Sequence, residues 1–302
     1  MSSRRKFIRQ SAYTVLALSL AQQAGWAKSN TKYLTGLQLY SVRDDMKRDP
    51  LGTLRALANM GYRQVEHANY ADRKFYGYTA VEFRKILDDL GMKMPSGHTV
   101  LKKEHFDDSR NDFTDAWKYT VEDAAYMGQQ FVISPSMDAV LRKDYDALRR
   151  QMEVFNKAGE LCRKHGMRFG YHNHDFEFSE TLKGRTLYDI ILKETDAKLV
   201  IQQLDTGNLY NGGANAADIV RLYPGRFASL HVKDEIAVAG AQEKYESTIL
   251  GKGIVPLQDI LKTILKSQPD AHLIIEQEAY QGKAPLQSMQ ENMQVMKQWG
   301  YA

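Results

Sequence analysis

The stretch Gly170-Tyr171-His172-Asn173-His174-Asp175-Phe176-Glu177-Phe178 closes an apolar run that reads as a β-strand, and it decides how the rest of the chain is read. With a side-chain period of two, His172 and His174 project to one face while Tyr171 and Asn173 take the other. Two imidazoles presented together call for acids and histidines from neighbouring strands. Three later stretches supply them: Leu204-Asp205-Thr206-Gly207-Asn208, His231-Val232-Lys233-Asp234 and Ile275-Glu276-Gln277-Glu278, each just past a short apolar run. One such stretch is equally well a satisfied buried His pair. Four at strand ends point to a constructed site.

Working outward, apolar runs alternate with amphipathic segments and no compositional break. Strands are expected over Thr35–Leu39, Tyr62–Glu66, Lys93–Gly97, Gln130–Ser134, Arg168–Tyr171, Lys198–Gln203, Phe227–Val232 and His272–Ile275. Helical periodicity falls at Pro50–Met60, Ala80–Leu90, Phe113–Met127, Lys143–His165, Thr186–Lys193, Ala214–Leu222, Val255–Leu265 and Pro285–Trp299. Gly61, Gly91, Gly128 and Gly166 each follow a helix, where a left-handed residue is wanted. Eight βα units over residues 33–302 predict a single-domain α/β (β/α)8 TIM barrel. A doubly wound open sheet would bring a Gly-rich phosphate loop after an early strand; Gly251-Lys252-Gly253 comes too late and is too short.

Residues 1–27 read as a targeting segment of twin-arginine type. Arg4-Arg5 precedes an apolar stretch, Ala12 to Ala21, and Gly25-Trp26-Ala27 suits cleavage. The stretch is interrupted by Ser19 and falls short of the about 20 apolar residues a bilayer needs, so no stable membrane insertion is expected after cleavage. Residues 28–32 form a linker, and the mature chain is expected in the periplasm. The whole chain has 41 basic and 37 acidic residues; the segment holds four of the cations (Arg4, Arg5, Lys6, Arg9) and no acid, which leaves 37 against 37. A neutral chain lacks the footprint of a non-specific nucleic-acid binder. The single cysteine, Cys162, excludes an internal disulfide and lies in a periodic helical stretch, where it reads as a small buried hydrophobe.

In a barrel, functional groups come from strand C-termini. This chain places Gln38, Tyr40, Glu66, His67, His98, Ser134, Ser136, His172, His174, Asp205, His231, Lys233, Glu276 and Glu278 there, including five of its eight histidines. Such a mouth holds a divalent metal or moves protons.

The ordered set Gly36-Leu37-Gln38-Leu39-Tyr40-Ser41-Val42-Arg43-Asp44, His98, Tyr171-His172-Asn173-His174, Leu204-Asp205-Thr206-Gly207-Asn208, His231-Val232-Lys233-Asp234 and Ile275-Glu276-Gln277-Glu278 resembles the sugar phosphate isomerase/epimerase family of xylose-isomerase-like TIM barrels. The likeness runs from about Tyr33 to the C-terminus. It implies a divalent metal held by an acid on the fifth strand, an Asp on the sixth, a His on the seventh and an acid on the eighth; the last three fall on Asp205, His231 and Glu276. The fifth-strand acid is absent, and His172 stands in its place. Either His172 is the ligand, or Glu177 folds back, or metal binding is weak; His172 is the preferred reading. Two imidazoles and two carboxylates suit Mn, Co or Zn better than Mg.

The resemblance further implies an enzyme acting on a small carbohydrate by proton abstraction beside a carbonyl, through a metal-stabilised enediolate. His174 or Glu278 would serve as acid/base, with Lys233 on a substrate oxygen. Gln38, Tyr40, Glu66 and His98 would orient the sugar, and Phe176 and Tyr210 offer stacking faces. Export favours a non-phosphorylated sugar or keto-sugar. The expected activity is isomerisation or epimerisation; the alternatives are a keto-sugar dehydratase or keto-glycoside lyase, and a non-catalytic sugar-binding barrel. A distant likeness to endonucleases of abasic DNA is opposed by the neutral charge and the export signal. Oligomeric state is not legible.

Overall fold

The computed structural model describes residues 33, 35–239 and 244–302; the expected export segment and linker lie outside the described residues. Eight parallel strands close a barrel: β1 Thr35–Gln38, β2 Gln64–His67, β3 Lys93–His98, β4 Phe131–Ser134, β5 Arg168–His172, β6 Val200–Asp205, β7 Ser229–Val232 and β8 His272–Ile275. They pair in sequence order and β1 closes onto β8 through Leu37↔Ile275. The expected (β/α)8 TIM barrel is therefore the fold.

The outer layer is α1 Pro50–Met60, α2 Ala80–Asp89, α3 Asp115–Met127, α4 Tyr145–Lys164, α5 Leu187–Glu194, α6 Ala216–Leu222, α7 Leu257–Ser267 and α8 Pro285–Gln298. Caps set these limits. Asp144 accepts from the Asp146 and Ala147 amides at the start of α4, and Thr79 with Glu82 forms a capping box on α2. Gly61, Gly91, Gly128 and Gly166 all have positive φ, as the sequence requires of them. Among the described residues, no helix is long and apolar enough to cross a membrane.

Four strands, β2, β4, β6 and β7, begin one or two residues later than expected. β2 starts at Gln64 rather than Tyr62, because the Tyr62 amide closes the end of α1 on the Leu57 carbonyl and its hydroxyl donates to the Met289 carbonyl. Glu66 faces the barrel interior and His67 faces outward, against Phe75.

Alternation then sorts each strand. Outward residues such as Phe169, Tyr171 and Val200 pack under the helices, while Phe131, Ile133, Ile201 and Ala228 fill the lower barrel. Gly170 faces that plug. A Cβ there would stand 2.5 Å from Ile133 Cδ1 and 2.8 Å from Ile201 Cγ1, so glycine is the residue that fits. Above the plug the inward residues turn polar.

Between strands and helices, a three-stranded meander over residues 70–79 and three short hairpins over 106–113, 181–186 and 234–248 rise at the C-terminal mouth; within the last, 240–243 are outside the described residues. Their strands, two to four residues long, are too short to show periodicity.

Candidate active site

The polar upper layer is a connected set of acids, amides and imidazoles. His172 closes β5, Asp205 closes β6, His231 sits in β7, and Glu276 follows β8. One donor atom from each lies within 4.8 Å of the others, and all four side chains are buried. His231 Nδ1 is 3.0 Å from Glu276 Oε2 and 3.9 Å from Asp205 Oδ2. Asp205 Oδ1 caps the short helix Thr206–Asn211 by accepting from the Asn208 amide at 2.7 Å, whereas Oδ2 is buried without a partner. Asn173 holds the strand end in place: its Oδ1 accepts from the Asp205 amide at 2.9 Å, and its Nδ2 donates to the Asp205 carbonyl at 3.3 Å.

Beneath this group lies Glu66, with no solvent exposure. Its Oε1 accepts from Gln38 Nε2 at 2.7 Å and meets His231 Nε2 at 2.6 Å and His98 Nε2 at 3.1 Å. Its Oε2 accepts from Gln203 Nε2 at 2.8 Å and from the Ser96 hydroxyl. Gln203 Oε1 in turn faces His98 Nε2 at 2.6 Å and His172 Nδ1 at 3.1 Å. Burial opposes the charge on Glu66, but His98 and His231 outweigh it and lower its carboxyl to about 2.

Charges in the layer are strongly displaced. Burial works against a cationic His231, yet Glu276 and Glu66 raise it to about 10. Burial and the neighbouring His231 and His98 hold His172 well below the usual range, as a neutral imidazole. Burial, with Glu276 close by and only partly offset by Lys233, pushes Asp205 up. A protonated His231 thus occupies the place of a cation among carboxylates.

Lys233 stands above, 3.5 Å from Glu278 Oε2, 3.8 Å from Glu276 Oε2, 3.9 Å from Asp205 Oδ2 and 3.3 Å from Asn208 Oδ1. Burial disfavours its charge, but Asp205, Glu276 and Glu278 hold the ammonium well above the lysine range. It does not pair with Asp234, which accepts instead from the amides of Glu235, Gly251, Gly253 and Val255. His174 is lowered to about 4 by burial and the Lys233 charge, and its Nδ1 has no partner.

These groups open into a cavity of about 1050 Å³. Its lining includes His172, Glu276, His174, Lys233 and Glu278 together with Tyr40 and His98, all named from the sequence. Asp205 and His231 lie below its floor, as do Gln38 and Glu66, so the last two hold the floor rather than reach the cavity. Phe176 is outside the lining: the Arg142 guanidinium lies 4.0 Å from its ring centre and His174 stacks on it at 5.7 Å, leaving it as backing for His174. Tyr210 packs edge-on against Tyr245 instead of entering the mouth. Glu177 does not fold back towards the acids; it accepts from the Tyr171 hydroxyl and from the His174 amide, the latter at 2.7 Å. Cys162 is fully buried, and burial pushes its thiol up to about 12.

Sequence reasoning missed Gln203, Ser96 and Asn173. The signal available was two amides, Gln202 and Gln203, inside an otherwise apolar strand, one of which had to face inward.

Residues 54–299 match the family described as Xylose isomerase-like TIM barrel, and the chain belongs to that family. An inosose dehydratase of Clostridium botulinum (strain Alaska E43 / Type E3) is 30% identical over 135 residues, covering 41% of this chain and 44% of that protein. An inosose dehydratase of Clostridium perfringens is 25% identical over 138 residues, 42% of this chain and 46% of that one. The chain thus spans less than half the length of these curated relatives in the matched region. Among solved structures, a sugar phosphate isomerase/epimerase from Parabacteroides distasonis has a TM-score of 0.76 at 24% identity, covering 91% of this chain and 96% of that one. The IOLI protein, solved with a zinc atom, has a TM-score of 0.65 at 11% identity, with coverage of 88% and 97%. Both structures share the fold.

The four-residue group fits a divalent cation. A buried carboxylate oxygen of Asp205 without a partner, a second carboxylate, one neutral imidazole and one imidazole whose Nδ1 faces both acids form a mixed N/O donor set.

Proposed function

We propose that this protein is a divalent-metal-dependent enzyme that removes a proton from carbon beside a carbonyl in a small, non-phosphorylated sugar or keto-sugar, isomerising or epimerising it. One observation carries the reading: four buried donor atoms from His172, Asp205, His231 and Glu276 converge under a cavity whose wall supplies a fixed ammonium, an imidazole and a carboxylate. Mn, Co or Zn suits these donors better than Mg. When bound, the metal supplies Lewis acidity towards the substrate oxygens.

The chain's own groups divide the remaining work. Lys233, held cationic by three carboxylates, donates to the oxygen on which negative charge develops. His174, a neutral imidazole on the cavity wall, takes the proton from carbon. Glu278, half-exposed at 43% and on the Lys233 side, takes a proton from water and passes it to carbon, while His174 releases its own to solvent. Glu177 and Phe176 hold His174 in place through its amide and its ring face.

A dehydratase is the second reading, favoured by the inosose dehydratase relatives. There the acid would protonate a departing hydroxyl on the next carbon instead of returning a proton to the first. The isomerase or epimerase reading predicts solvent deuterium entering the carbon beside the carbonyl when the metal-loaded protein is incubated with keto-sugars in D2O; the dehydratase reading predicts loss of that hydrogen together with water, with exchange only where proton removal reverses before the hydroxyl departs. Glu276→Gln should abolish that exchange while sugar binding survives in part. Retained exchange in this variant would overturn the role assignment, and sugar binding without exchange or loss of water in the wild type would leave a binding barrel. Export to the periplasm is a separate inference, carried by Arg4-Arg5 and the segment after it, and it is tested by whether secretion stops in Arg4→Lys/Arg5→Lys.

A further inference from the structure

The cavity extends well past the groups that do the chemistry. Its volume of about 1050 Å³ lies at the upper end for small-molecule sites. The reactive groups occupy one end. The other is walled by Tyr70 and Arg73 from the hairpin after β2, Lys102 from the loop after β3, and Tyr119 on α3.

That far wall is firmly built. Arg73 Nε and Nη2 donate to Asp123 Oδ2 and Oδ1 at 3.0 and 2.6 Å, and the Tyr70 hydroxyl donates to Asp123 Oδ2 at 2.6 Å. Asp123 is buried on α3, one turn beyond Tyr119, so the hairpin is bolted to that helix. The Arg73 guanidinium lies 4.2 Å from the Tyr119 ring centre. Asp72 and Arg73 form the two-residue turn between Ala71 and Lys74, with φ of 52° and 60°. Asn-Gly is the sequence such a turn favours, and a long side chain in the second place is disfavoured unless it has work to do.

The chemistry of this wall is unspent. Arg73 Nη1 and the Tyr119 hydroxyl make no hydrogen bond among the described residues, and Tyr119 is 39% exposed. Donors beside an aromatic ring suit a ring compound with oxygen substituents.

We propose that the substrate carries a second ring, joined to the reacting sugar through a glycosidic oxygen, and that the end of the cavity formed by Tyr70, Arg73, Lys102 and Tyr119 is its subsite. This rests on the sugar reading above and names the substrate class within it. The second ring packs against the part of Tyr119 that Arg73 leaves exposed and hydrogen-bonds Arg73 Nη1 and the Tyr119 hydroxyl, while the reacting ring lies between Lys233 and His174.

Calorimetric titration of the Mn-loaded full-length mature protein tests this. The probes are methyl glucoside and methyl galactoside, each compared with a disaccharide and with a nitrophenyl glycoside of the same sugar, in hydroxy and in keto form. A two-ring probe should bind at least tenfold more tightly than its methyl glycoside, and which arm shows the gain tells whether the second ring is a sugar or a phenol. Tyr119→Ala, Lys102→Ala and Arg73→Ala should each reduce that ratio; Tyr119→Ala and Lys102→Ala leave the Asp123 clamp intact, so they remain informative if Arg73→Ala fails to fold. Binding of the methyl glycosides with no gain from a second ring would overturn this subsite and leave the proposed function standing. No binding of any sugar would overturn both.

Discussion

Glu66→Gln is the sharpest probe of how the floor supports the site, because the replacement changes one oxygen to an amide and almost nothing in shape. Glu66 takes five polar neighbours: Gln38, His231 and His98 on Oε1, Ser96 and Gln203 on Oε2. A glutamine keeps one acceptor oxygen. If that oxygen stays with the three groups on Oε1, the new NH2 meets Ser96, whose hydroxyl can turn to accept, and Gln203 Nε2, which cannot. If Gln203 flips to accept, its own NH2 faces His98 and His172 in place of the oxygen they now share. That flip requires His98 Nε2 and His172 Nδ1 to change tautomer and accept, so either a mismatched buried pair or a rearranged network results, at about 1–3 kcal/mol. The lost charge also releases His231, whose Nε2 partner fixes the ring so that Nδ1 faces Asp205 and Glu276. A carboxylate in this position behind a metal-binding imidazole is worth about 10–100-fold in metal affinity. Urea unfolding of the metal-free variant should therefore show a loss of about 1–3 kcal/mol, and calorimetric titration with Mn or Zn a 10–100-fold weaker site. A variant as stable as the wild type that binds metal with equal affinity would refute the supporting role.

Three other outcomes follow. Since His231 holds its proton up to about 10 without metal, binding at pH 6–8 must displace that proton; affinity should rise about tenfold per pH unit, with the heat depending on the buffer's ionisation enthalpy, and a buffer-independent heat would contradict this. Glu177, raised by burial to about 7 in the folded chain against an ordinary 4.5, binds more proton folded than unfolded between those values, so its contribution to stability is lost as pH rises through that window, by about 3 kcal/mol; Glu177→Gln should flatten the fall in urea midpoint from pH 5 to pH 8, and parallel curves would count against it. Gly170→Ala drives a Cβ into Ile133 and Ile201 and should cost about 1–3 kcal/mol by thermal unfolding, whereas an unchanged Tm would show that the barrel plug yields.

The barrel was legible because its strands are buried on both sides and read as apolar runs, with glycine closing the preceding helices. The upper site was legible because histidine and acid side chains stand out at the ends of such runs. What stayed hidden depends on register and closure. β2 carries a register shift between Gln64 and Glu66, so strict alternation could not assign Glu66 and His67 to a face from the strand alone. Gln203 joins His98, His172, Ser229 and Glu66, residues from four other strands, and those partners exist only once the barrel is closed. Phe176 was expected in the mouth because aromatic residues beside a polar site are apt to stack on sugars; the Arg142 side chain that covers it comes from a loop far away in sequence. The far wall of the cavity rests on a hairpin of two-residue strands, below the length at which alternation carries a signal.

The histidine on the fifth strand changes the charge of the site as well as one donor. Asp205 and Glu276 bring two negative charges when ionised, His172 is held neutral by burial and its imidazole neighbours, and His231 becomes neutral once its Nδ1 proton leaves. A divalent cation balances those two carboxylates, and a third acid on β5 would have left one in excess. Lys233 then adds a positive charge whose carboxylate neighbours Asp205 and Glu276 are already engaged, leaving half-exposed Glu278, 3.5 Å away, as its remaining close counter-ion. Under the proposed function, an anion forming on substrate oxygen would meet the buried Lys233 ammonium directly, where electrostatic stabilisation is strongest. Glu66 does not cancel this, because its charge is spent beneath the floor on His98, His231 and three neutral donors. On the proposed function, His172 would keep the site competent for enolate chemistry with fewer acids, given a cation that accepts nitrogen readily, as Mn, Co and Zn do and Mg does not.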